Sequence, residues 1–72
     1  MPDAPDVTIT LNGQAQTLAA PLTVRDLLQH LGIAERRVAV ELNKEIVPRS
    51  RHAVVRLQDN DRVEVVAAIG GG

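Results

Sequence analysis

The sequence predicts an α+β fold, with one main helix laid across a mixed sheet of about five strands. Three observations carry that prediction. Apolar and polar residues alternate through 7–11, 38–42 and 62–66, the period of a strand with one buried face. One segment, 24–31, changes to helical spacing. The chain has 72 residues and no Cys, so the burial of these faces must hold it together without a disulfide or thiolate site.

Residues 1–6 hold two prolines and two aspartates without periodicity and read as a frayed lead-in. Val7-Thr8-Ile9-Thr10-Leu11 is the first strand, ended by Asn12-Gly13, a pair suited to the two positive-φ positions of a tight hairpin. The chain then doubles back through Gln14–Leu18, whose weakly apolar sequence suits a sheet edge. Pro21 ends pairing, and Thr23-Val24-Arg25-Asp26 follows the pattern of a capped helix start, a hydroxyl with an acid three residues on. Val24, Leu27, Leu28 and Leu31 form one apolar stripe, and Gly32 closes a helix of about nine residues in the left-handed capping position. A helix this short persists only when packed, so the sheet must be its partner.

Val38–Leu42 is the third strand, with Val38, Val40 and Leu42 facing one way. Asn43-Lys44 turns the chain into a brief strand, Glu45-Ile46-Val47, that Pro48 ends. Residues 49–58 show no period, and Val54 or Val55, with Leu57, is expected to plug the open end of the core. Asp59-Asn60-Asp61 is a turn and Arg62–Val66 the last strand, with Val63 and Val65 inward. A right-handed crossover sets the third or the final strand beside the first and parallel to it. This order of elements is that of a β-grasp, or ubiquitin-like, roll. The chain reads as a single domain over 1–72 with a tail from 67 to 72.

Composition excludes several classes of function. With no Phe, Trp or Tyr there is no stacking platform for single-stranded nucleic acid, and 8 basic against 9 acidic residues make no phosphate-binding field. The acidic, proline-containing start is unlike a signal peptide, and no stretch reaches membrane-spanning length, so a cytoplasmic location is expected. Gly13 and Gly32 are absorbed by a turn and a cap rather than a phosphate loop. His30 lies on the polar side of the helix and His52 beside Arg51 in a loop, which reads as two surface histidines without metal-ligand spacing. Asp59 and Asp61 read as turn formers, and Arg36-Arg37 and Arg49–Arg51 as solvated loops. No nucleophile, base and oxyanion donor can be assembled, so an independent enzyme is not expected.

The exception is the end of the chain. No charged side chain follows Glu64, and Gly70-Gly71-Gly72 lacks Cβ atoms, so the tail can thread a narrow active site with its carbonyl open to attack. From Ala67 onward it reaches roughly 20 Å when extended. Alongside this tail, Leu11-Asn12-Gly13, Thr23-Val24 with Leu27-Leu28, Val38–Asn43, Ile46-Val47-Pro48-Arg49-Ser50 and Asp61–Val66 occur in order. In these residues the chain resembles the ubiquitin-like sulfur carriers of thiamine biosynthesis over nearly its whole length. Members often carry aromatic residues where this chain has His52 and Ala68.

The resemblance implies a carrier that binds no cofactor and is acted on by other enzymes. A ThiF-like adenylyltransferase, related to the ubiquitin-activating enzymes, would use ATP to join Gly72 to AMP. Sulfur from a persulfide donor would then displace AMP to leave a thiocarboxylate on Gly72. A ThiG-like thiazole synthase would receive that sulfur. The absence of Cys agrees, since no side chain here could hold the sulfur. Gly71, Gly70, Ile69, Ala68 and Val66 are the expected partner-binding residues, with Val66 and Ala68 apolar on the exposed face of the last strand. Alternatives are the small subunit of molybdopterin synthase, which tends to be longer with an aromatic-proline segment before its diglycine end, a ubiquitin-like protein modifier, and a binding module with an inert tail.

Overall fold

The computed structural model describes residues 6–67. They form a five-stranded sheet in the order β2-β1-β5-β3-β4, with one helix on one face. The strands are β1 (Asp6–Leu11), β2 (Gln14–Ala19), β3 (Val38–Leu42), β4 (Glu45–Val47) and β5 (Arg62–Ala67), and the helix is α1 (Val24–His30). This is the β-grasp arrangement the alternation predicts. It is the final strand that lies parallel to β1, through Thr10↔Arg62 and Leu11↔Val63, while β3 pairs with β5 antiparallel. β2 is an edge, as its sequence suggests.

Both short turns have the mirror-image geometry that suits the twist of a hairpin. Asn12 and Gly13 have φ of 48° and 86°, and Asn43 and Lys44 have φ of 52° and 73°. Thr23 caps α1 reciprocally: its Oγ1 accepts from Asp26 N–H at 3.1 Å, and Asp26 Oδ2 accepts from Thr23 N–H at 2.9 Å. The core joins Val24, Leu27 and Leu28 of the helix to Ile9, Val40, Val63 and Val65 of the sheet. Leu22 and Leu57 close its end.

Three expectations need correction, and one alternative is resolved. The helix is 7 residues long, and Leu31 is its C-cap, 38% exposed, because the chain reverses there. Ile33 N–H bonds Leu28 O at 2.9 Å in that reversal, and Ile33 rather than Leu31 packs on the core. Of the two candidate plugs, Val55 packs inward and Val54 is exposed. His52 is no surface histidine: it is 8% exposed, and its Nε2 donates to Val47 O at 3.1 Å. It follows a 3-10 turn at Arg49–Arg51 that folds the loop over the core, and its own carbonyl accepts from Arg25 N–H at 2.8 Å. Finally, β5 runs one residue further than its alternation suggests, so that Ala67 pairs with Val38 instead of opening the tail.

Candidate functional site at the end of the last strand

The candidate site begins where β5 ends. Gly72, Gly71, Gly70, Ile69 and Ala68 lie outside the described residues; Val66 lies within them, and the structure shows what its strand is fixed to. β5 is the central strand of the five, flanked by β1 and β3, so its position is set from both sides. At its start, Asn43 holds Arg62: the Asn43 N–H donates to Arg62 O at 2.7 Å, and Asn43 Oδ1 accepts from Arg62 N–H at 2.9 Å. Asp61 braces that turn, accepting from Asn43 Nδ2 at 3.0 Å and from Gln58 N–H at 2.8 Å, and Asp59 accepts from Thr8 N–H at 2.7 Å. The two aspartates are therefore structural acceptors, as turn formers should be. Near the end of β5, Asn12 meets Val65 through both ends of its carboxamide, at 3.1 and 2.8 Å.

The face of the sheet opposite the helix carries the exposed side chains of β5. Val65 and Val63 point into the core, and the period of two sends Arg62, Glu64 and Val66 outward. Val66 is 59% exposed, and on β4 Ile46 is 67% exposed. The register links them: Ala39 pairs with Val66, and Glu41 lies between Glu64 and Ile46. The result is an apolar diagonal, Val66–Ala39–Ile46, beside two carboxylates on neighbouring strands. Like charges set directly opposite one another disfavour a sheet, so a cation brought to Glu41 and Glu64 would relieve them. Ile46 was not singled out by sequence reasoning. Its signal is the three-residue strand itself, in which an inward Val47 forces Ile46 outward.

The concavities are small. One, of about 210 Å³, is lined by residues including Leu42, Ile46, Pro48 and Arg51, and another, of about 260 Å³, by Thr10, Gly13, Arg62, Val63 and Glu64. Both fall short of the roughly 300–1,000 Å³ usual for a small-molecule site. Among the described residues, no group of three or more His, Cys, Asp or Glu side chains stands together as a metal site, and no helix is long and apolar enough to cross a membrane. What the described residues offer is a strand end held from both sides and, beside it, an apolar diagonal bordered by charged side chains, an arrangement suited to recognition by another protein.

Comparison with known proteins gives the chain its relatives. The model of the ThiS family matches residues 9–72. The chain is 38% identical over 64 residues to the sulfur carrier protein ThiS of Escherichia coli, covering 89% of this chain and 97% of that one. It is 48% identical over 64 residues to a thiazole synthase of Paramagnetospirillum magneticum, covering 89% of this chain but only 20% of that protein. The chain thus spans about one fifth of the thiazole synthases it matches. The crystal structure of a thiamine biosynthesis protein (ThiS) from Geobacter metallireducens superposes with a TM-score of 0.79 at 36% identity, covering 92% of this chain and all of that one.

Proposed function

This chain belongs to the ThiS family, and from that premise we propose that it is a sulfur carrier of thiamine biosynthesis whose cargo is held on the carboxylate of Gly72. The observation that carries the reading is a strand paired through Ala67 and followed directly by Ala68-Ile69-Gly70-Gly71-Gly72, a segment without side-chain charge inside the family match. A carboxylate is a poor electrophile and needs activation. A ThiF-like adenylyltransferase supplies it from ATP: a Gly72 carboxylate oxygen attacks the α-phosphorus and pyrophosphate leaves. A persulfide sulfur then attacks the acyl carbon and displaces AMP, and a second thiol cleaves the resulting S–S bond to leave the thiocarboxylate. The carrier itself holds no cofactor in this scheme. Its glycines contribute access, since three residues without Cβ let a partner close around the terminal carbonyl.

The acceptor is a ThiG-like thiazole synthase. Support comes from the thiazole synthases that carry a segment 47–48% identical to this chain within their own sequences. The body contributes recognition through Val66, Ala39 and Ile46, and Glu41 with Glu64 favours a partner that brings a cationic side chain to that face.

The test is to incubate the protein with its adenylating enzyme, ATP and a persulfide source and to measure intact mass beside a variant lacking Gly72. The expected result is a gain equal to one oxygen replaced by sulfur in the full chain alone, with the variant folded but not adenylated. AMP transfer to the shortened chain at the normal rate would overturn the assignment to Gly72.

A further inference from the structure

Asn12 occupies the first left-handed position of the β1–β2 turn, a role that needs only its backbone. Its backbone N–H donates to Val63 O at 2.9 Å, the last main-chain bond of the turn to β5. The side chain then continues where the main chain has turned away. Nδ2 donates to Val65 O at 3.1 Å, and Oδ1 accepts from Val65 N–H at 2.8 Å. The carboxamide thus stands in for one further peptide group of a parallel neighbour.

Without it, Val65 would be unpaired on both counts. Residues of an antiparallel pair bond in alternation, and Val65, whose N–H and C=O point toward Asn12, has neither left for Val40 across the β3 side. By the same alternation Ala67 directs its main-chain groups to the β1 side, where β1 has already ended at Leu11. Among the described residues, Asn12 is therefore the last bonded neighbour of β5 on that side.

We propose that Asn12 is a positioning residue for the chemistry at the end of the chain: its carboxamide fixes Val65, and with it the line along which the segment after Ala67 departs. The proposal rests on the reading that Gly72 is the activated group. Five residues follow Ala67 and span at most about 17 Å, so a partner that grips the outer face of the sheet has little slack with which to correct a misdirected start. Errors near 1 Å in the placing of a reacting group cost up to roughly a hundredfold in rate.

The experiment uses the full chain with its adenylating enzyme and ATP, and measures kcat and KM for pyrophosphate release together with amide hydrogen exchange at Val65. Asn12→Gly keeps the turn conformation and removes both side-chain bonds, while Asn12→Asp keeps the acceptor and removes the donor. The Gly variant is expected to lose roughly tenfold or more in kcat with KM within about twofold of wild type, and to exchange the Val65 amide faster. The Asp variant is expected to lie between the two. A residue that merely stabilised the turn would instead lower the folded fraction and so raise the apparent KM with kcat unchanged. That pattern, or an unchanged kcat in both variants, overturns the proposal while leaving Gly72 as the activated group. An unmodified wild-type chain beside a demonstrably active enzyme overturns the reading of Gly72 and the proposal together.

Discussion

Val66 and Ile46 stand on the outer face of the sheet with more than half of each residue open to solvent, one in the strand that leads to the tail and the other two strands away. If an activating partner covers this face, truncating them should weaken binding by an amount the exposure sets. Val66→Ala deletes two carbons worth about 0.8 kcal/mol each when buried, and 59% exposure leaves about 1 kcal/mol for a partner to bury. Ile46→Ala deletes three at 67% exposure, or about 1.6 kcal/mol. The double variant should therefore bind about 2.5 kcal/mol more weakly, on the order of fiftyfold in Kd. Its own stability should fall by only about 0.5 kcal/mol per site, since neither side chain belongs to the core. Titration calorimetry with the adenylating enzyme measures Kd, and thermal unfolding confirms that the body is intact. Leu31→Ala, which trims an exposed apolar group at the helix end, serves as the control. A change below about threefold in the double variant, or an equal loss in the control, would refute the assignment of this face to docking.

The body supports sharper expectations about its own stability. Leu27 is 0% exposed beneath the sheet, so Leu27→Ala should cost about 3–5 kcal/mol, a large share of the total for a domain this size, and lower the unfolding midpoint by more than about 12 °C. Thr23→Ala removes one arm of the capping box and should cost about 1 kcal/mol in thermal unfolding, while Thr23→Ser retains nearly all of it. His52→Leu keeps volume and removes the side-chain hydrogen bond to Val47 O, which still faces Val40 N–H across the β3–β4 ladder, so denaturant unfolding should show a loss of about 0.5–1.5 kcal/mol with an unchanged slope. An unchanged midpoint would mean that the hydrogen bond contributes nothing net.

The fold was legible because its signals are local. Alternation in β1, β3 and β5, the two asparagine turns and the Thr23–Asp26 cap all act within a few residues, and each appears where its pattern stands. What could not be read depends on contacts distant in sequence. His52 is buried because a 3-10 turn folds the loop onto the core, and the surrounding run of Arg-Ser-Arg hides this behind charge. The aromatic residue that relatives often carry near that position was the available hint of an inward side chain. Asn12 and Asn43 were legible as turn formers, yet their second role, in which each carboxamide grips β5, requires knowing that β5 runs between them. Of the expected site, Val66 is placed by the period of its strand, whereas Gly72, Gly71, Gly70, Ile69 and Ala68 rest on family membership and composition.

The pairing of Thr10 with Arg62 joins nearly opposite ends of the chain at the middle of the sheet. During translation β1, β2, α1, β3 and β4 all emerge before the strand that must enter between β1 and β3, so the centre of the sheet cannot close until β5 clears the ribosome. Synthesis that stops short of β5 yields hairpins and a helix with no common core rather than a weaker version of the body. A fragment ending before β5 lacks Val63 and Val65 at the centre of the core and is therefore expected to be open to proteolysis from its first appearance.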